Sequence, residues 1–212
     1  MSEIVKVENV TKYFKQEKVL DDVNMNLETG HIYGIVGKNG AGKTVLFKII
    51  AGFIKPSLGK VTVAGKIIGV DRDFPDSLGL IIETPGFLSQ YNAYQNLLYL
   101  ANINNKISKE DVKESIRMVG LDPGSNKKVG KFSLGMRQRL GIAQAIMENP
   151  NLIILDEPMN GLDKKGIEDV KELLLKLKGD GKTILMASHY AEDMEICDEV
   201  FQMEDGKLGD MK

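Results

Sequence analysis

The sequence contains one cysteine, no tryptophan, two histidines and no surplus of positive charge, and each shortage removes a class of protein. A lone Cys197 cannot form an internal disulfide, so packing and hydrogen bonding must hold the fold. With only His31 and His189 beside that thiol, soft ligands are too few for a structural zinc site. Any metal chemistry must then rest on carboxylates and hydroxyls, which suit a hard cation. Lys and Arg total 28 against 30 Asp and Glu, a net charge of −2, and a pI near 5.8 leaves no basic footprint for nucleic acid. No run reaches the roughly 18 uncharged apolar residues that cross a bilayer. The greasiest windows, 32–36 and 152–155, have the length of strands. The first residues alternate apolar with polar and lack the basic and apolar regions of a signal peptide, which predicts a cytoplasmic chain that starts as folded protein. What is present, 212 residues that are 42% hydrophobic and 27% charged, has the balance of one globular domain with a sizeable core.

Periodicity divides the chain. Ile4, Val5, Val7 and Val10, then Val19, Val23, Met25 and Leu27, alternate with polar residues and predict antiparallel strands. A short apolar run at 32–36 stops at glycine and gives way to helical spacing at Val45, Leu46, Ile49 and Ile50. A hairpin around Ala64-Gly65 and an apolar strand at 78–82 complete a β-rich first part. From residue 85 to 149 helical periodicity replaces β-branched strands. There Ser108 and Asp111 form a capping-box-like start, and Gly120 and Pro123 a stop. Strand patterning returns at 152–155 and 183–187, separated by a helix that Asp163 caps and whose apolar face is Ile167, Val170, Leu174 and Leu177. Asp205-Gly206 signals a final hairpin.

Chemistry concentrates in a few stretches. Gly37-Lys38-Asn39-Gly40-Ala41-Gly42-Lys43-Thr44 fits the phosphate-loop pattern and lies between a strand and a helix. Its glycines let successive N–H groups face phosphate oxygens, the helix end adds positive potential, Lys43 neutralises phosphate and Thr44 offers a Mg²⁺ ligand. Residues 151–158 form an apolar strand ending in Asp156-Glu157-Pro158, which puts two carboxylates at the C-terminal edge of a parallel sheet, where α/β proteins bind ligands. Read with the phosphate loop, this is a Walker B strand. Asp156 would hold Mg²⁺, and Glu157 would orient and deprotonate the attacking water.

Phe132-Ser133-Leu134-Gly135-Met136-Arg137-Gln138-Arg139 stands shortly before that strand, with Asn160-Gly161-Leu162-Asp163 after it, Ser188-His189 later still and Lys12-Tyr13-Phe14 ahead of all. In this order the chain resembles the ATP-binding subunits of ABC transporters over essentially its whole length. The resemblance implies a P-loop NTPase of ABC type, with a mixed sheet core, an antiparallel β part and an inserted helical subdomain. Residues 1–84 and 150–212 would form the ATP-binding core, and residues 85–149 the helical subdomain that carries the signature motif. It implies that Tyr13 stacks on adenine and that Ser133 and Gly135 face the γ-phosphate held by a second copy. Asp163 would belong to the D-loop, and His189 would reach the γ-phosphate. ATP and Mg²⁺ would be bound in a head-to-tail dimer on the inner face of the membrane, driving a separate integral membrane permease.

Two motifs depart from that pattern. Leu134 and Met136 stand where the usual signature has glycine and glutamine, which removes one amide side chain. Glu83 follows the strand at 78–82 where glutamine is usual. Gln90 is the other candidate, but it lies beyond Pro85-Gly86 and ends no strand, so Glu83 is expected to act on the metal. With Glu83-Thr84-Pro85-Gly86-Phe87, these departures resemble the branch that exports peptide antibiotics such as bacitracin and lantibiotics. Phe87, Leu88, Tyr91, Tyr94 and Tyr99 cluster just afterwards, as packing of the helices or as a groove for a membrane partner. An ATP-driven clamp on a non-transport membrane or cell-division protein is the alternative. An ATPase acting on DNA or ribosomes is disfavoured by the net charge and by the modest size of the helical insert.

Overall fold

The computed structural model describes residues 2–83 and 86–210. Alternation builds its first sheet. In β1 (Glu3–Phe14) Val5, Val7 and Val10 point inward, and in β2 (Glu17–Glu28) Leu20, Val23, Met25 and Leu27 do the same, with charged and amide residues on the wet face. The two strands pair antiparallel, Val7 opposite Met25 and Val10 opposite Val23. β4 (Leu58–Val63) lines the other side of β1, and β5 (Lys66–Ile67) turns back through Ala64-Gly65. Both turn residues have positive φ, 47° and 76°, as a tight two-residue hairpin demands.

The second sheet runs β10-β9-β3-β8-β7-β6. β3 (Ile32–Val36), β8 (Thr183–Ser188) and β7 (Leu152–Asp156) are its parallel centre, and β6 (Leu78–Ile81) is a parallel strand at the edge. β9 (Glu199–Glu204) adds a further parallel strand, and β10 (Lys207–Asp210) returns antiparallel through Asp205-Gly206. The central strands read as unbroken apolar runs because both faces are covered. In β7, Leu152 and Ile154 enter one core with the first sheet and α1 (Lys43–Ile50), whereas Ile153 and Leu155 enter a second core beneath the remaining helices. Period-two geometry thus lets one strand serve two cores.

The second core joins α2 (Ala93–Asn104), α3 (Lys109–Met118), α4 (Leu134–Ile146) and α5 (Lys164–Gly179). The Ser108–Asp111 capping box forms as expected, and Asn92–Gln95 makes another at α2 that the sequence reading did not pick out. Asp163 caps α5, whose Val170, Leu174 and Leu177 are buried and whose Ile167 is partly so. The expected boundary between residues 84 and 85 lies outside the described residues, as do Thr84 and Pro85 themselves. No helix among the described residues is long and apolar enough to cross a membrane. Cys197 packs beside Met194 behind β3, where burial pushes its thiol pKa up to about 12 and keeps it an inert apolar filler.

One topological fact positions the chemistry. β3, β8 and β7 are neighbours and parallel, with Val36 beside Ser188 and Ala187 beside Asp156. The segments that leave their C-terminal ends therefore emerge at one edge.

Candidate functional site

The phosphate loop leaves β3 at that edge. Gly40 and Gly42 take φ of 85° and 111°, conformations that side-chain-bearing residues avoid. Gly42 also lacks room, since a Cβ there would come 2.8 Å from the Leu20 side chain. The turn of the final hairpin braces the loop too, with Gly206 N–H donating to Ala41 O at 3.1 Å. α1 begins without a side-chain cap and without an acidic residue in its first turn, so its amide-rich, positive end is left for an anion. Lys43, only 5% exposed, folds back under the loop. Its Nζ donates to Gly37 O at 2.5 Å and to Lys38 O at 3.3 Å, and lies 3.7 Å from Glu157 Oε1.

Opposite stands the end of β7. Thr44 Oγ1 donates to Asp156 Oδ2 at 2.6 Å, which places a hydroxyl and a carboxylate side by side beneath the loop. Burial raises the Asp156 carboxyl above its ordinary pKa and the neighbouring Glu157 adds to this, while the Thr44 hydrogen bond works the other way. Hard oxygen donors so paired fit Mg²⁺, which takes one or two protein oxygens and fills its shell with water and phosphate oxygens. Among the described residues no group of three or more His, Cys, Asp and Glu forms a complete protein cage for a metal.

Glu157 follows with φ 51°, a left-handed conformation that costs a side-chain-bearing residue about 1–2 kcal/mol. Hydrogen bonds fix this peptide. Its N–H donates to Ala187 O at 2.9 Å, and its carbonyl accepts from Gln138 Nε2 at 3.1 Å and from Asn160 N–H at 3.2 Å. The carboxylate turns back over the loop, with Oε2 2.8 Å from His189 Nδ1. His189 leaves β8 beside Tyr190, the ring centroids 3.8 Å apart. Behind it, the buried Ser188 hydroxyl donates to Asp193 at 2.5 Å and accepts from Tyr190 N–H at 3.0 Å.

The fold thus gathers Lys43, Thr44, Asp156, Glu157 and His189 of the expected site residues. Lys38, Asn39 and Gly40 form the exposed rim of the loop, which Gly37 and the buried Ala41 and Gly42 anchor on either side. Four other residues stand apart. Ser133 caps α4, its hydroxyl accepting from Met136 N–H at 3.2 Å, and Asp163 caps α5, accepting from Gly166 N–H at 2.9 Å. Together with Gly135 they line an open cleft of ≈ 1180 Å³ to which no phosphate-loop residue contributes. Tyr13 is exposed near the end of the β1–β2 hairpin, opposite Lys18.

Glu83 meets a lysine in this structure. Its carboxylate pairs with Lys48 Nζ at 2.5 Å, one helical turn beyond Thr44 on α1. Sequence reasoning missed this partner, the Glu157–His189 pairing and Gln138. Gln138 left one signal, an amide set among the apolar residues of α4.

Comparison with known proteins places this geometry. A family model described as ABC transporter matches residues 20–160. The uncharacterised ABC transporter ATP-binding protein YybJ of Bacillus subtilis is 45% identical over 97% of this chain and 94% of its own length. The bacitracin transport ATP-binding protein BcrA of Bacillus licheniformis is 41% identical over 98% of this chain and 69% of its own. Among solved structures, the dimeric post-hydrolysis state of the ATP-binding cassette MJ0796, bound to ADP and Pi, superposes with a TM-score of 0.88 at 26% identity, covering 99% of both chains. From motif order, fold and likeness alike, the chain belongs to the ABC transporter family as an ATP-binding subunit.

Proposed function

We propose that this subunit hydrolyses MgATP in a head-to-tail dimer with a second copy and delivers the resulting motion to a separate membrane permease that exports a peptide antibiotic or similar hydrophobic compound. The observation that carries the reading is the division of the site into two halves. Lys43, Thr44, Asp156, Glu157 and His189 converge at one sheet edge, while Ser133 and Gly135 line a cleft elsewhere and would need another molecule's phosphates. A dimer that closes head to tail brings each half to its complement.

In this reading Lys43 exchanges its carbonyl partners for phosphate oxygens, and the N-terminal amides of α1 bind the same group. Thr44 and Asp156 would hold Mg²⁺, which when bound shields phosphate charge and orients the phosphate to be transferred. Glu157 takes the proton of the attacking water, and His189, now on the Glu157 carboxylate, turns to donate to the γ-phosphate. Tyr13 stacks on the base. Ser133 and Gly135 offer a hydroxyl and an amide to the second copy's nucleotide, and Asp163 holds the start of α5 beside them.

Glu83, once released from Lys48, would strengthen Mg²⁺ binding beyond what a neutral amide gives. Glu83→Gln is therefore expected to raise the Mg²⁺ concentration needed for half-maximal hydrolysis. An unchanged Mg²⁺ dependence contradicts that role.

Export of a peptide antibiotic rests on the likeness to BcrA and to the lantibiotic transport ATP-binding protein SrtF of Streptococcus pyogenes, which is 34% identical over 97% of this chain and 89% of its own. A membrane partner is supported by the exposed apolar side chains of Leu88, Tyr91, Tyr99 and Ile103, the last two 63% and 70% exposed. The subunit would then sit in the cytoplasm against the inner face of the membrane. Affinity purification from solubilised membranes should retain a multi-span protein. Tyr99→Asp together with Ile103→Asp should release it without lowering basal hydrolysis. Recovery of a single-span regulator instead would favour the clamp over transport.

A further inference from the structure

Gln138 is a polar side chain that the reaction as described leaves without a task. It lies inside α4, 7% exposed, next to the buried Leu140, Gly141 and Ile142. A buried amide must find a partner. It finds one outside its helix, in the main-chain carbonyl of Glu157, 19 residues along the chain and at the end of a different element. That carbonyl belongs to a residue held in a left-handed conformation, so the bond acts where the backbone is strained. The same two elements touch again at the helix start. A Cβ on Gly135 would come 2.8 Å from Gly161 O, and one on Gly161 would come 2.4 Å from Leu134 Cγ. α4 is thus fitted to residues 157–161 at two places, with a glycine on each side of the second.

We propose that Gln138 is a positioning residue that holds the Glu157 peptide and so ties the carboxylate over this chain's phosphate loop to the helix that presents Ser133 to the second copy. The proposal rests on the reading of Glu157 as general base and of Ser133 as a contact to the second copy's nucleotide. Ser133 and Gln138 are five residues apart on one rigid helix. A displacement of α4 as Ser133 takes up phosphate moves Gln138 too, and the Nε2–carbonyl bond passes that displacement to the base of the other site. The position of the general base then responds to the filling of the neighbouring half-site, which couples the two sites of the dimer through a single chain.

Gln138→Met keeps the length and volume of the side chain and removes the donor. The expected result is a fall in kcat of about 10–10²-fold, the scale of a misplaced catalytic group. ATP binding to the isolated chain should stay at the wild-type value, which a mere packing role would not preserve, and the melting temperature should fall only slightly because the Glu157 carbonyl keeps its bond from Asn160. In a Glu157→Gln background, where no base remains to be positioned, adding Gln138→Met should cost nothing further in single-turnover hydrolysis. Wild-type turnover in Gln138→Met, alongside an inactive Glu157→Gln, overturns the positioning role while leaving the base in place. So does an equal loss in both backgrounds, or a loss matched by weaker ATP binding. Normal turnover in Glu157→Gln alone removes the base reading itself, and the proposal falls with it.

Discussion

Glu157→Gln is expected to slow ATP hydrolysis by about 10²–10⁴-fold, the range a positioned general base contributes. The amide has the shape of the carboxylate, so the left-handed peptide, the bond to Ala187 and the carbonyl contacts from Gln138 and Asn160 all persist. What disappears is the ability to accept a proton, together with the negative charge 3.7 Å from Lys43. The cradle of α1 amides, Lys43 and Thr44 is untouched, and one negative charge fewer faces the nucleotide. Binding of MgATP should therefore be kept or strengthened while kcat collapses. Single-turnover hydrolysis and equilibrium titration on the same preparation separate the two effects. Normal turnover would remove Glu157 from its role.

Lys43→Ala should act on the opposite quantity and abolish nucleotide binding. The ammonium is buried beneath the loop, where its partners are two main-chain carbonyls and a carboxylate. Its removal leaves Asp156 and Glu157 facing incoming phosphates with no side-chain cation between them. A charge-assisted hydrogen bond is worth about 1.5–3 kcal/mol, so losing two of them weakens binding by more than about 100-fold even before the added repulsion. Calorimetric titration with MgATP should show no measurable heat of binding at concentrations that saturate the wild type. Tight binding by this variant would contradict the role assigned to the loop.

The difference between these two residues also explains what the sequence disclosed. The sequence signal of the phosphate loop is local. Glycine is needed where φ reaches 85° and 111°, the lysine and threonine follow at fixed offsets, and a strand and a helix flank them, so residues 37–44 declare themselves. The capping residues Ser108 and Asp163 are legible for the same reason, because each follows from spacing within one element. The contacts that complete the site are long-range. Glu157 and His189 are 32 residues apart, Lys48 and Glu83 are 35 apart, and Gln138 reaches Glu157 across an intervening strand. No pattern within a window of one helix or strand contains such pairs. Glu157 shows the mixture well. Its place after an apolar strand marked it as an acid at the sheet edge, but its left-handed backbone and its hold on His189 arise only when β7 and β8 lie side by side.

Ser133 and Gly135 raise the corresponding question for the dimer. Their motif is recognisable, yet within one chain they line a cleft that no phosphate-loop residue enters. In the proposed function, the hydroxyl at this helix start, beside a glycine packed against Gly161, meets an anion that a second copy brings. Hydrolysis in the proposed function therefore needs two chains sharing two nucleotides. The most direct test is the mass in solution of the Glu157→Gln variant, measured by light scattering in the presence and absence of saturating MgATP. A chain of 23.4 kDa is expected without nucleotide and twice that mass with it. The dimer should be lost again when Ser133 is also changed to a bulky residue. A protein that binds MgATP tightly and stays at the mass of one chain would contradict the proposed function.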